Sequence, residues 1–170
     1  MTSVTPTGLP APDRTSRDDL GRLVAVSWGT APKDRADNTG GWLVAVDGSE
    51  MSLRAASMAA RLTASEPGAS VDLVHVHSWL VKEAAEIELP RRGWHATATA
   101  RAIMEKAGIT WRLHVRMGEA ADQIVALAQE LGSCGIAIGS HGLTATESLF
   151  LGSVAYKIVH LGKLPVLIVR

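Results

Sequence analysis

The run Gly139-Ser140-His141-Gly142, followed by nine residues and then Gly152-Ser153, is the stretch of this chain whose residue types and spacing point most directly to chemistry. Gly139 and Gly142 allow a sharp turn and let a ligand approach the backbone with no Cβ in the way. Gly152 and Ser153 open a predicted helix, whose free N–H groups and positive dipole end suit an anion. The Ser153 hydroxyl can donate to a phosphate oxygen or cap that helix. Turn and cap roles explain each of these residues separately, while together their spacing suits a cradle for phosphate. Neither G-x-x-x-x-G-K-[ST] nor G-x-G-x-x-G is present, which argues against a P-loop ATPase and a standard dinucleotide fold.

Other candidates carry less. His75 and His77 share a strand face and invite a metal reading, but no third ligand is identifiable. Ser140 beside His141 suggests a nucleophile and its base, yet adjacent residues rarely present both groups to one atom and no orienting third group is evident. Trp79 follows a predicted strand and can either stack on a base or pack. Cys134 is the only cysteine, so neither an internal disulfide nor a zinc site can be built on it. It reads as a small, buried residue at a strand entrance.

The elements that must hold these residues follow from periodicity. Trp42 to Val46 is an apolar run ending at Asp47-Gly48-Ser49, a buried strand followed by a helix start with Ser49 as N-cap. Met51, Ala55, Met58, Ala59 and Leu62 fall on one face of the next helix. Val71 to His77 is a second strand. Residues 78 to 92 are ambiguous, with a short helix over Val81 to Leu89 before Pro90 as one reading, and another helix runs from about Trp94 to Ala107. Ile109 to Met117 alternates apolar and polar residues, predicting a strand with one wetted face toward a sheet edge. Ala120, Ile124, Leu127, Ala128 and Leu131 mark a further helix. Ile136 to Ile138 is a short buried strand, Gly139 to Leu151 a long loop, Ser153 to Leu161 a helix, and Leu164 to Val169 a last strand. Residues 42 to 170 thus predict an α/β fold, a doubly wound five-stranded parallel sheet with helices on both faces. Ligands bind such sheets beyond the carboxyl ends of the strands, at a switch in strand order. Asp47, His77 and Gly139 stand at those ends.

Residues 1 to 41, with Pro6, Pro10, Pro12 and Pro32, read as an irregular N-terminal extension. One candidate extra strand lies at 22–28. The extension can add an edge strand, pack on a partner or stay mobile.

The glycine pattern, with Leu-Gly-Ser-Val entering the last helix and Leu-Pro-Val-Leu-Ile-Val closing the chain, resembles the ATP-binding signature of the universal stress protein (UspA-like) family. Trp42-Leu-Val-Ala-Val-Asp47 resembles that family's first strand and its acidic residue. The resemblance covers about residues 42 to 170. It implies strand order 3-2-1-4-5 and ATP, or another adenine nucleotide, as ligand, with or without Mg. It implies that Ala45 and Asp47 flank the adenosine and that Val76 offers backbone hydrogen bonds to the adenine. Ile138 and Gly139 would lie against base and ribose, with Ser140 and His141 in the loop beside them. Gly142, Gly152, Ser153 and Val154 would hold the phosphates. Two positions depart from the pattern: Leu143 stands where a basic residue is frequent, and Ala155 where a second hydroxyl is frequent. Leu143 to Leu151 contains Glu147 and no Lys or Arg.

Composition bounds the remaining choices. The chain has 170 residues, 46% of them hydrophobic, enough for one domain with a core. Seventeen basic and seventeen acidic residues balance, which is no footprint of a nucleic-acid binder. No apolar run reaches the length needed to span a membrane, and the first twenty residues hold no apolar signal segment, so the expected compartment is the cytoplasm. The expected function is a regulatory stress-response module that binds an adenine nucleotide with little or no hydrolysis. The alternatives are a slow ATPase or phosphotransferase, and a dimeric scaffold that does not bind nucleotide. A homodimer through the apolar strand 164–169 is expected, because an uncovered apolar edge is an aggregation hazard.

Overall fold

The computed structural model describes residues 8–30, 40–66, 68, 70–143 and 151–170. Seven strands form one sheet: β1 (Arg14–Arg17), β2 (Leu23–Gly29), β3 (Trp42–Ala45), β4 (Ser70–His77), β5 (Thr110–Met117), β6 (Gly135–Gly139) and β7 (Val166–Val169). Their order is β1-β2-β5-β4-β3-β6-β7. The five strands from β5 to β7 are mutually parallel and in the expected order.

The edge position expected for Ile109–Met117 is corrected. β2 pairs antiparallel with β5, Ala25 to Gly29 against Arg116 to Arg112, and β1 pairs antiparallel with β2. The strand foreseen at 22–28 therefore exists, and it brings a second strand with it. β5 still alternates as expected, with Trp111, Leu113, Val115 and Met117 buried. Its polar face is only partly wetted, because Arg112 and His114 turn onto Asp72 of β4, which is 1% exposed. Arg112 donates from Nε to Asp72 Oδ1 at 2.9 Å and from Nη2 to Oδ2 at 3.1 Å. A carboxylate only accepts, so His114 Nε2, 2.8 Å from Oδ1, donates as well.

Five helices cover the two faces: α1 (Glu50–Thr63), α2 (Lys82–Ala96), α3 (Ala98–Lys106), α4 (Ala120–Glu130) and α5 (Ser153–Leu161). Ser49 caps α1 as expected, accepting from the Ser52 N–H at 3.2 Å. The buried face of α1 differs from the expected one. It is Ser52, Ala55, Ala56, Ala59, Ala60 and Thr63, while Met51 and Met58 are half-buried and Leu62 is exposed. The physical reason is proximity: α1 lies so close to β6 that a Cβ on Gly139 would meet Met51 Cβ at 2.6 Å. Small residues fill that contact, and the larger ones move to its flanks.

α2 continues through Pro90 instead of stopping before it. Glu86, whose carbonyl Pro90 cannot serve, is exposed, so water can. The break comes at Thr97, which is fully buried and donates its hydroxyl to the Gly93 carbonyl at 2.8 Å.

One core lies between the sheet and α1 to α3. It holds Leu23, Val26 and Trp28 of β2 beside Trp111, Leu113 and Val115 of β5. Trp28 meets Trp94 of α2 edge to face, with centroids 5.2 Å apart. The other core joins Leu43, Ala45, Val74, Ile136 and Ile138 to α4 and α5. Cys134 sits at the entrance to β6 but is exposed, not buried. Among the described residues no helix is long and apolar enough to cross a membrane.

Candidate functional site

From β3 the chain winds through β4 and β5 to one side, then crosses to β6 and β7 on the other, so the strand order switches between β4, β3 and β6. A cavity of about 350 Å³ opens beyond the carboxyl ends of those strands. That is a size suited to a small organic ligand. Ala45, Asp47, Val76, Ile138, Gly139, Ser140, His141, Gly142, Gly152, Ser153 and Val154 all line it. The eleven residues named for the nucleotide are thus brought together, while His77, also placed at a strand end, is not among the lining residues.

Two glycines make the close approaches that let the walls meet. Gly139 abuts α1, as described. A Cβ on Gly142 would lie 2.7 Å from Asp47 Oδ2. The loop after β6 is tied on both sides: the Ser140 N–H donates to the Val169 carbonyl at 2.8 Å, and the Ser140 carbonyl accepts from the Gly152 N–H at 2.8 Å. Ser140 and His141 are closer partners than adjacency suggests, with Oγ 2.9 Å from Nδ1. Ser140 is 2% exposed, so this hydroxyl is packed within the loop.

Asp47 works as a latch. Its Oδ1 accepts from the Ser49 N–H at 2.9 Å and its Oδ2 from the Leu143 N–H at 3.1 Å, joining the β3–α1 turn to the loop after β6. Partial burial pushes its pKa up. Hydrogen bonds from Ser49, Ser52 and Leu143 outweigh that, and the carboxyl is held below the usual range.

Gly152 is the N-cap of α5, and no side chain caps the helix. Ser153 is its first residue and is exposed, so the capping role considered for its hydroxyl is not the one observed. Among the described residues no group accepts from the N–H of Ser153, Val154 or Ala155. The first free donors of α5 therefore face a cavity wall built partly from the same residues.

Val46, Ser52, Val74, His75, Ala120, Ile124, Leu143 and Ala155 line the cavity too. Val46, Val74 and His75 adjoin singled-out residues on the same strands. Ala120 and Ile124 come from α4, and in the sequence only their place on its apolar face was legible. His75 donates from Nδ1 to the Val46 carbonyl at 2.8 Å, and burial holds its imidazole below the usual histidine range, in the neutral form. His77 Nδ1 donates to the Ser78 carbonyl at 2.7 Å, and Arg92 Nη1 donates to its Nε2 at 3.0 Å. The two histidines thus have separate partners, and among the described residues no three metal-ligating side chains gather. Trp79 neither covers the cavity nor packs inward. It is 59% exposed, with the Arg22 guanidinium 4.7 Å from its ring centroid.

The family model described as the universal stress protein family matches residues 42–170. The chain belongs to this family. The universal stress protein YxiE of Bacillus subtilis is 31% identical over 144 residues, covering 75% of this chain and 97% of that protein. Two similar solved structures carry nucleotides. A universal stress protein in complex with cAMP aligns with TM-score 0.62 and 26% identity, covering 78% of this chain and 98% of the other. A universal stress protein of Archaeoglobus fulgidus in complex with dAMP aligns with TM-score 0.60 and 26% identity, covering 76% and 97%. Residues before Trp42, including the β1–β2 hairpin, lie outside the family match.

Proposed function

We propose that the protein is a regulatory universal stress protein that binds an adenine nucleotide in the cavity at the ends of β3, β4 and β6 and turns it over negligibly. The observation that carries this reading is the cavity itself. Its apolar walls, Ala45, Val74, Val76, Ile124 and Ile138, suit a base, and the free N–H groups of α5 suit a phosphate. The relatives with cAMP and dAMP supply the adenine. ATP, with or without Mg, belongs to the same class of ligand. The absence of a transmembrane helix among the described residues is compatible with action in the cytoplasm.

Negligible turnover follows from the chemistry of the walls. Backbone N–H groups and the Ser153 hydroxyl bind a phosphate ground state. Acceleration requires groups whose interaction strengthens in the transition state, and none of the lining residues is Lys or Arg. Phosphate release from excess Mg-ATP is expected well below the median enzyme rate of about 10 per second. Release near that rate, abolished by His141→Ala, would make the protein an ATPase.

Gly152→Val tests the site. Its Cβ would lie 3.1 Å from the Ser140 carbonyl and 3.4 Å from His141 Cα, pushing the loop into the phosphate's approach. Calorimetry on the folded variant is expected to show adenine-nucleotide affinity weakened at least about tenfold. Undiminished affinity would reduce the glycines to turns.

The reading includes a homodimer through β7. Among the described residues that strand pairs with β6 alone, and Ile168 on it is 36% exposed. Unpaired strand edges of this kind recruit partners. Light scattering at micromolar concentration is expected to report a dimer, and a chain carrying Val166→Lys and Ile168→Lys to be monomeric or insoluble. A monomeric wild type refutes the dimer.

A further inference from the structure

We infer that this cavity takes adenine nucleotides with a single phosphate, linear or cyclic, in preference to di- and triphosphates, an inference that rests on the adenine reading above. The donors available to phosphate are few. The Gly152 N–H is already given to Ser140 and the Leu143 N–H to Asp47, so the first turn of α5 and the Ser153 hydroxyl supply the phosphate contacts. Three adjacent backbone N–H groups match the oxygens of one phosphate.

Charge decides the rest. A phosphomonoester carries about −1.5 to −2 near neutral pH, and each further phosphate adds negative charge. Among the described lining residues nothing compensates it, and the sequence from Leu143 to Leu151 supplies no Lys or Arg. Lys157, one turn into α5, has its Nζ 3.1 Å from Asp122 Oδ2. Arg170, after β7, is not among the lining residues. The fixed charge that is present has the wrong sign: the Asp47 carboxylate lines the cavity, against Gly142 and Leu143. A second and third phosphate would bring further negative charge into a cavity whose described lining holds a carboxylate and no Lys or Arg. Like-charge proximity of this kind selects against a ligand as effectively as contacts select for one.

Calorimetry on the wild-type chain, with adenosine, AMP, cyclic AMP, ADP and ATP, each with and without Mg, tests this. AMP or cyclic AMP is expected to bind tightest, and the comparison says which form the site takes. ATP is expected at least about tenfold weaker, with Mg narrowing that gap without inverting it. Leu143→Lys, an exposed position, is expected to strengthen ATP binding about tenfold and AMP binding by less. ATP bound as tightly as AMP in the wild type, with or without Mg, overturns the inference while leaving the adenine reading intact. If neither adenosine nor any nucleotide binds, the adenine reading falls and the inference with it.

Discussion

Arg112→Leu is expected to destabilise the protein by about 3–5 kcal/mol at neutral pH, the range for breaking one side of a buried ion pair. Asp72 is 1% exposed in the middle of the sheet, between β3 and β5. Removing Arg112 deletes both bonds of a bidentate contact and leaves His114 as the donor to Oδ1. The cost lies less in the lost contact than in the charge left behind. Replacing Asp72 and Arg112 together by leucine is therefore expected to recover most of the loss, because the double variant buries no orphan charge. If the double variant is as unstable as the single one, the pair contributes through packing and the electrostatic account is wrong.

The pH dependence follows from the same site. Burial pushes the Asp72 pKa up, but the hydrogen bonds and charges of His114 and Arg112 hold it below the usual carboxylate range. A carboxyl whose folded pKa is depressed adds stability above its unfolded value, and that stability is lost as pH falls through the folded value. In Arg112→Leu only His114 still opposes burial, so the carboxyl takes up a proton at higher pH than in the wild type and its penalty fades on acidification. Denaturant midpoints at about pH 7 and about pH 4 are expected to show the gap between wild type and variant narrowing at the lower pH. A gap that widens on acidification would contradict this.

The parallel half of the fold was legible because its signals are local. Trp42 to Val46 is an apolar run with a capping serine just beyond it, and a short apolar stretch precedes Gly139. The cavity residues were legible for further reasons: strand ends and one spaced glycine pattern nominate Asp47, Gly139, Gly142, Gly152 and Ser153, the family resemblance implies Ala45, Val76, Ile138 and Val154, and the topology brings all of them to one place. What escaped depends on contacts distant in the chain. The polar residues of β5 read as a wetted face because alternation does not show that Asp72 waits on the next strand. Met58 and Leu62 read as core because periodicity gives the direction of a helix face and not its distance from the sheet. Pro90 read as a stop because a missing N–H is local, while the exposure of Glu86 is not. The hairpin was half legible. Leu23 to Trp28 has the composition of a strand, but Arg14 to Arg17 has none of it and is a strand only because β2 offers an edge.

Trp28→Ala is expected to cost about 3–5 kcal/mol, the usual range for a buried aromatic, although it lies outside the segment that matches the family. Its ring is 4% exposed, it meets Trp94 edge to face, and its Nε1 donates to the Pro10 carbonyl at 3.0 Å. The substitution empties a space between β5 and α2 and also frees the chain before β1. The hairpin's pairing with β5 would survive, because backbone hydrogen bonds from Ala25 to Gly29 do not depend on the indole. A chain beginning at Gly40 goes further. It leaves the backbone edge of β5 unpaired and uncovers Trp94 and Trp111, two large aromatics beside the buried Leu113 and Val115. Solved relatives span about three quarters of this chain, so the family fold does not require the hairpin as such. In this chain α2 and β5 carry apolar surface that packs against β2. The truncated protein is expected to aggregate or to melt on the order of 10 °C lower than the full chain. Thermal melts of the wild type, Trp28→Ala and the truncated chain decide the matter. A truncated protein that is soluble and melts with the full chain would make the hairpin an appendage. A graded loss, with Trp28→Ala between the other two, would make it the outer third of a single core.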